Sequence, residues 1–481
     1  MKAGKAPHGF SLIGLVALAV ILCSCGAWAK EAPLMYTEPY LLAPTTNSIY
    51  VCWITSEETT RSYVEYGPTG SYGYTRSAKT YELEGLKTVD ENGKYTVPLK
   101  AYQQIVHITN LEPGTRYYYR IVSETGSRRK VSRGYYFKTA PRPGTPVKFI
   151  LLSDLQLKAQ APATVKLAGQ QEADFIIYNG DLVNTPYKAG EWFSVPETPE
   201  EDGLRWFNMM QQTGDGCKLL QYIPIYPSPG NHEIDAQEQL MDKRLADRDR
   251  MSMSIYMQLF RPLYPEQEYR ANGKHWYSMD YGDLHIVSLS VFRWFAWKPE
   301  EAPGWFLFDD IKAGSPQYNW LRADLESKKA KYTWVTMHWH MFNRGTDVQV
   351  PFTDPTPSVN EPGRMEYPGE KDCLQRDIKP LFESYGVNAV SYGHSHVYER
   401  YIINGVHYIE AATIGNNYRS PDDPYEPHGN HPVVEENRFR SFMLASIDPA
   451  TGMTAQGIQA SVEKDGFGTV GRVFDGFTIA Q

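Results

Sequence analysis

The stretch Phe175-Ile176-Ile177-Tyr178-Asn179-Gly180-Asp181-Leu182-Val183-Asn184 decides how the rest of the chain is read. It opens as a short apolar run, the pattern of a strand buried on both faces. It then breaks at Gly180 and delivers one carboxylate, Asp181, at the strand's carboxyl end. Four other segments repeat the arrangement with other metal-seeking side chains. Val147 to Leu152 runs into Ser153-Asp154-Leu155-Gln156, and Ile223 to Tyr226 into Pro227-Ser228-Pro229-Gly230-Asn231-His232-Glu233. Tyr332 to Met337 runs into His338-Trp339-His340, and Val387 to Tyr392 into Gly393-His394-Ser395-His396. In open α/β sheets, ligands gather just beyond the carboxyl ends of strands. Five such ends carrying Asp, Asp, Asn, His and His-x-His describe one pocket, which reads as a metal site.

Around these strands lie helical runs at Thr164 to Glu172, Leu204 to Gln211, Gln317 to Lys329 and Asp377 to Tyr385, an α/β alternation. His275 to Tyr281 and Leu284 to Ser290, joined by Gly282-Asp283, read as an antiparallel pair, and the chain from Phe442 onward returns to β. Upstream, residues from about Tyr36 to Lys138 read as an all-β module of short strands: Ser48 to Thr55, Ser62 to Tyr66, Gln103 to Thr109, Arg116 to Ser123 and Gly134 to Lys138. Turn formers separate them, which suggests a β-sandwich. Pro141 to Pro146 makes a stiff linker. The expected organisation is a sandwich at 36–140 and a catalytic domain at 147–481. Arg293 to Lys312, Gly345 to Asp372 and Asn416 to Arg438 read as long loops over the strand ends, where substrate choice is usually set.

The length, 481 residues, suits two or three domains, and no repeat or heptad stands out. Residues 1–29 read as a leader: Lys2 and Lys5 precede an apolar core, Phe10 to Leu22, too short to span a bilayer as a helix. Ala27-Trp28-Ala29 fits secretory cleavage. Leu22-Cys23-Ser24-Cys25 fits a lipobox that would leave Cys25 lipidated, a possible membrane anchor. Either way the expectation is export, to the periplasm or the exterior. Removing the leader takes two lysines and no acids, moving the net charge from −8 to −10. That balance argues against nucleic-acid binding. Cys52, Cys217 and Cys373 remain; three buried thiols and a Cys217–Cys373 disulfide are both open.

Hydrolysing a phosphate ester requires that the phosphoryl charge be neutralised before an anion can attack. Two divalent metals about 3.5–4 Å apart do this and lower the pKa of water between them. They need one carboxylate that bridges both ions, with hard or borderline ligands around it. Asp181 suits the bridge; Asp154, Asn231, His338, His394 and His396 suit the remainder. Only two of these are carboxylates, which leaves the site net positive and ready for an anion.

Asp-x-Gln, Gly-Asp, Gly-Asn-His-Glu, a strand ending in His, and Gly-His-x-His, in that order, resemble the signature of the calcineurin-like metallophosphoesterases. Gly393-His394-Ser395-His396-Val397-Tyr398-Glu399-Arg400 resembles the Gly-His-Val-His-x-Tyr-Glu-Arg of their purple acid phosphatase branch. Leu111 to Tyr119, Leu-x-Pro-Gly-Thr-x-Tyr-x-Tyr, resembles the fibronectin type III-like sandwich that precedes that branch's catalytic domain. The resemblance implies a four-layer αββα catalytic sandwich, where the residues alone show only mixed α/β. It implies Asp154, Asp181 and His396 as ligands of one metal, and Asp181, Asn231, His338 and His394 as ligands of the other. It implies His232 as proton donor to the leaving group, with a hydroxide held by the two metals attacking phosphorus.

Two positions depart from the family pattern. Gln156 stands where many members have His; its amide oxygen can reach a metal, favouring harder ions, or its amide can bond Asp154. Asn184 stands where the purple branch has tyrosine, so no charge-transfer colour is expected. Asn184 reads either as a turn residue or as a substrate contact. His340 reads either as a phosphate contact or as a donor behind the ligands. Glu233 and Arg400 read as structural.

The expected activity is hydrolysis of phosphate monoesters by two divalent or trivalent ions (iron, manganese, zinc or magnesium), with a small phosphorylated substrate as partner. A phosphodiesterase acting on nucleotide, lipid or glycan phosphates, and a binding protein with a degenerate metal site, are the alternatives. Oligomeric state is not readable.

Overall fold

A computed structural model describes residues 33–90, 92–195, 204–235, 252–270, 273–296, 304–342, 358–361, 364–366, 373–411, 432–436, 438–462 and 468–479; for 293–296, 304–307, 358–361 and 364–366 this covers the backbone alone. The leader at 1–29, Cys25 included, lies outside these residues.

The N-terminal part forms two sheets. One has the order Tyr40–Leu42, Ser48–Thr55, Tyr102–Thr109, Lys79–Glu82. The other runs Arg128–Val131, Arg116–Thr125, Arg61–Gly67, Tyr74–Ser77, with Tyr135–Lys138 also pairing to Arg116–Thr125. Alternation in Ser48–Thr55 explains their packing. Ile49, Val51 and Trp53 point into the sandwich core, while Cys52 and Ile54 on the opposite face join the core of the C-terminal part. The second contact is sealed by polar clamps: Tyr40 Oη and Gln103 Nε2 donate to Leu259 O at 2.9 and 2.8 Å, and Tyr119 Oη donates to Gln221 O at 2.6 Å.

The C-terminal part holds two more sheets. The first has the order Ile225–Pro227, Phe175–Tyr178, Val147–Leu152, Ser441–Asp448, Gly452–Gln459, Val473–Ile479, with the first three strands parallel. The second runs Tyr277–Tyr281, Leu284–Ser288, Tyr332–Thr336, Ala389–Tyr392, Val406–Glu410, Tyr398–Ile403, Val434–Glu436; its second to fifth strands are parallel. Aromatic side chains join the sheets face to face: Phe149 meets Trp334 at 5.1 Å, and Phe175 meets Tyr281 at 4.7 Å. Ala161–Gly169 flanks the first sheet. Pro316–Ser327 flanks the second, its N-terminus capped by the Ser315 hydroxyl and its buried Leu321 and Leu325 four residues apart.

Parallel strands put their carboxyl ends at one edge. Asn179 ties the two edges together, its Oδ1 accepting from Thr336 Oγ1 at 2.6 Å and Ser391 Oγ at 3.0 Å, its Nδ2 donating to Tyr392 O at 3.2 Å. All five motif strands therefore end beside one another.

Three loop readings from sequence are corrected. The segment read as a loop at Arg293 to Lys312 contains a hairpin, Arg293–Ala296 with Gly304–Leu307, and Gly345 to Asp372 contains another, Ser358–Glu361 with Arg364–Glu366. Within Asn416 to Arg438, Val434–Glu436 is an edge strand, while residues 416–431 lie outside the described set. Short strands in a two-stranded hairpin or at a sheet edge carry little hydrophobic alternation and so read as loop. Of the two readings left open for Cys217 and Cys373, the structure gives separate buried thiols.

Candidate metal centre

Five of the seven candidate ligands follow their strands through a backbone twist that L-residues seldom adopt. Asp154, Gln156, Asp181, His394 and His396 all have positive φ, from 42° to 79°. Such conformations cost free energy, so their clustering marks a place where the fold over-determines the side chains. Glycine is required alongside. A Cβ on Gly180 would lie 2.8 Å from both Gly230 N and His338 Nδ1, and one on Gly393 would overlap Ser153 Oγ and Asp154 Oδ2. These residues are small because the ligands have claimed the space.

The side chains form two groups on either side of Asp181. On one side, His338 Nε2 lies 3.3 Å from Asp181 Oδ1, 3.0 Å from Asn231 Oδ1 and 3.3 Å from His394 Nδ1; His394 Nδ1 lies 3.1 Å from Asn231 Oδ1. Asp181, His338 and His394 offer donor atoms all within 4.8 Å of one another. On the other side, Gln156 Nε2 donates to Asp181 Oδ2 at 2.9 Å, and His396 Nε2 stands 3.5 Å from Asp154 Oδ1. Asp154 is held by Ser153 Oγ and by the His394 N–H at 3.1 Å. Gln156 thus aims its amide at Asp181, where the sequence suggested a bond to Asp154.

The surroundings set the chemical form of these groups. His338 Nδ1 faces Asn179 O at 2.7 Å and donates to it, which turns the Nε2 lone pair of a neutral ring toward Asn231, His394 and Asp181. Burial pulls the His338 pKa down, but the Asp181 and Asp154 carboxylates outweigh it and push it to about 9. Burial, reinforced by His338, drives His394 well below the usual imidazole range. Asp181 would be raised by burial, yet His338 and His232 hold it low. Two buried carboxylates, the Asn231 amide oxygen and the neutral His394 nitrogen converge and repel one another, and the proton drawn onto His338 answers that excess of lone pairs. A cation relieves that repulsion, so the donor set fits metal ions of borderline to hard character.

Glu233 builds the cradle. Its carboxylate accepts N–H bonds from Asp181 at 2.9 Å, Leu182 at 2.8 Å and Gly230 at 2.6 Å, joining two ligand loops. Burial, then the Asp181 charge, push its pKa up to about 7. Arg400 is further away and makes a two-pronged pair with Asp475, at 2.7 and 2.8 Å.

His232 stands at the edge of the group. Its backbone N–H donates to Asp181 Oδ1 at 3.0 Å, its Nδ1 donates to Asn184 O at 2.8 Å, and its Nε2 lies 3.8 Å from Asp181 Oδ2. Asn184 sends its own amide nitrogen to Gln156 O at 3.0 Å, so the residue links the His232 and Gln156 loops. His340 Nδ1 faces Ser395 Oγ at 3.2 Å, and its ring centre lies 5.9 Å from that of His394. A cavity of about 220 Å³ adjoins Gln156 and Asn184, with Lys158, Glu191, Arg205 and Tyr95 completing its wall.

Three contributors were not singled out from sequence. Asn179 orients His338, Trp339 stacks on His394 with ring centres 3.9 Å apart, and Glu191 accepts the N–H groups of Asn184 and Thr185 at 2.7 and 2.9 Å. A polar residue directly before Gly180 in an otherwise apolar run is the signal that points to Asn179.

Residues 39–139 match the model of the purple acid phosphatase N-terminal domain, and residues 147–398, just over half the chain, match the calcineurin-like phosphoesterase model. Purple acid phosphatase 15 of Arabidopsis thaliana is 25% identical over 388 residues, covering 75% of this chain and 62% of that protein. Phosphoenolpyruvate phosphatase of Allium cepa is 24% identical over 382 residues, covering 78% of this chain and 64% of that protein. The chain thus spans a little under two thirds of either relative's length. Among solved structures, the purple acid phosphatase PPD1 of yellow lupin (Lupinus luteus) shares the fold with a TM-score of 0.63 at 17% identity, covering 92% of this chain and 74% of that one. PhoD shares it with a TM-score of 0.58 at 12% identity, covering 92% and 91%.

Proposed function

The chain belongs to the calcineurin-like phosphoesterase family, and from that premise we propose that it hydrolyses phosphate monoesters with the help of two metal ions. The observation that carries the proposal is the division of Asp181 between two donor groups, Oδ1 toward His338 and Oδ2 toward Gln156. In this reading Asp181 would serve both ions, with Asp154, His396 and the Gln156 amide oxygen holding one and Asn231, His338 and His394 holding the other. Iron, manganese, zinc and magnesium all suit such donors. Bound ions would neutralise the phosphoryl oxygens and lower the pKa of attacking water.

The chain's own residues do the rest. Asn179 O fixes the His338 tautomer, and Glu233 fixes the loops that carry Asp181 and Asn231. His232, held through Nδ1 by Asn184 O, keeps Nε2 as the atom that passes a proton to the departing alkoxide. Asn184 positions His232 and Gln156, and no tyrosine stands there to give colour. His340 supports His394 through its packing and Ser395.

Export belongs to the same proposal, supported by the charged and apolar order of residues 1–29; mass measurement of the mature N-terminus distinguishes cleavage after Ala29 from lipid on Cys25. No helix among the described residues is long and apolar enough to cross a membrane. The activity is tested with p-nitrophenyl phosphate and its bis ester after reconstitution with each metal. Monoester turnover that collapses in Asp181→Asn supports the proposal. Diester preference favours the phosphodiesterase reading, and two bound ions without turnover favour the binding protein.

A further inference from the structure

The sandwich carries a second cavity, of about 370 Å³, that shares no lining residue with the metal centre. One wall is the outer part of the same sheet face that meets the catalytic part. There Tyr50 and His107 sit opposite each other on adjacent strands and stack at 4.0 Å with planes 2° apart. Lys79 pairs with Ile105 on the next strand, and Tyr81, two residues on, shares its face. The other wall is the Arg261–Leu263 turn, whose Arg261 guanidinium lies over the Tyr81 ring at 4.4 Å.

The charge of this cavity is one-sided. Arg76, Lys79 and Arg261 all line it, and no carboxylate does. Among the described residues none of the three has a carboxylate partner; Arg76 reaches only Thr109 Oγ1, at 3.4 Å. Three cations around a concavity repel one another. A multiply charged oxyanion relieves that repulsion, and guanidinium groups match its oxygens in pairs. The volume sits at the lower end of the roughly 300–1,000 Å³ found for small-molecule sites, more than a bare phosphate fills. The stacked Tyr50–His107 pair supplies a flat wall beside the cations, suited to the C–H face of a sugar ring.

We infer that this cavity is a non-catalytic binding site for a sugar phosphate, with the phosphoryl group among Arg76, Lys79 and Arg261 and the ring against Tyr50 and His107. The site is independent of the hydrolytic reading, because none of its residues belongs to the metal centre.

The probe is a methylene phosphonate isostere of glucose 6-phosphate, which no phosphatase can cleave, titrated calorimetrically into the full chain. Glucose and inorganic phosphate are the comparison ligands. The expected result is a binding component that weakens by at least about tenfold in R76A/K79A and persists in D181N. Both substituted positions are exposed, so the double variant should fold, and its turnover of p-nitrophenyl phosphate should match the parent. Glucose alone and phosphate alone should each bind at least about tenfold more weakly than the isostere. Equal binding by parent and R76A/K79A overturns the inference, as does loss of all binding in D181N. Inorganic phosphate binding as tightly as the isostere also overturns it, since the cavity would then recognise the anion without the sugar.

Discussion

Glu233 accepts the backbone N–H of Asp181 at 2.9 Å, and this bond couples the loop after one strand to the loop after the next. Because the same carboxylate also holds Leu182 and Gly230, Glu233→Ala would strand three buried donors. The expected cost is roughly 3 kcal/mol of stability or more, with metal affinity down about 10–100-fold. Chemical denaturation and metal titration of the variant check both figures.

Gly393→Ala should act on one ion rather than on the fold as a whole. The added methyl would collide with Ser153 Oγ and Asp154 Oδ2, moving Asp154 off the position that His394 N holds. Metal analysis is expected to give one ion per chain where the parent gives two, with a stability loss of about 1–3 kcal/mol.

His232→Gln should separate leaving groups. An alkyl phosphate needs its departing oxygen protonated, whereas p-nitrophenolate leaves without help. The expected fall in kcat is about 10²–10⁴-fold for the alkyl ester and far smaller for p-nitrophenyl phosphate. Comparing kcat for the two esters in parent and variant gives the answer, and an equal loss on both would assign His232 to binding.

His285 gives the fold a dependence on alkaline pH. Burial lowers its pKa, but Asp280 at 2.7 Å and Asp324 at 2.8 Å outweigh this and push it to about 9. The folded value lies above the ordinary value of about 6.5. The stabilisation is therefore complete below about pH 6.5 and fades as pH rises through about 9. With Asp280 largely exposed, a contribution of roughly 1–2 kcal/mol is expected. Melting temperatures measured from pH 6 to pH 10 should fall more steeply in the parent than in His285→Gln.

The iron-loaded protein should lack a strong visible band, since Asn184 occupies the place of the tyrosine that would donate charge. Absorption spectroscopy after iron reconstitution checks this directly.

What could be read from the chain was its strand ends. Phe149 to Leu152 and Phe175 to Tyr178 are apolar because helices and a second sheet cover them, and polarity returns at Ser153 and Asn179, just before Asp154 and Asp181. The left-handed backbone at Asp154, Asp181, His394 and His396 could not be read, because only the completed cage forces non-glycine residues into it. The strands Lys87–Val89 and Tyr95–Pro98 were not legible, being short and half exposed. Gln156 shows the limit at the site itself: the residue was found, but the direction of its amide depends on Asp181, twenty-five positions away.

The most direct measurement counts metal ions per chain and turnover of p-nitrophenyl phosphate together, in the parent and in Asp181→Asn. The account predicts two ions and turnover in the parent, with both reduced sharply by the substitution. Two ions and undiminished turnover in Asp181→Asn would contradict a bridging aspartate at the centre of this protein.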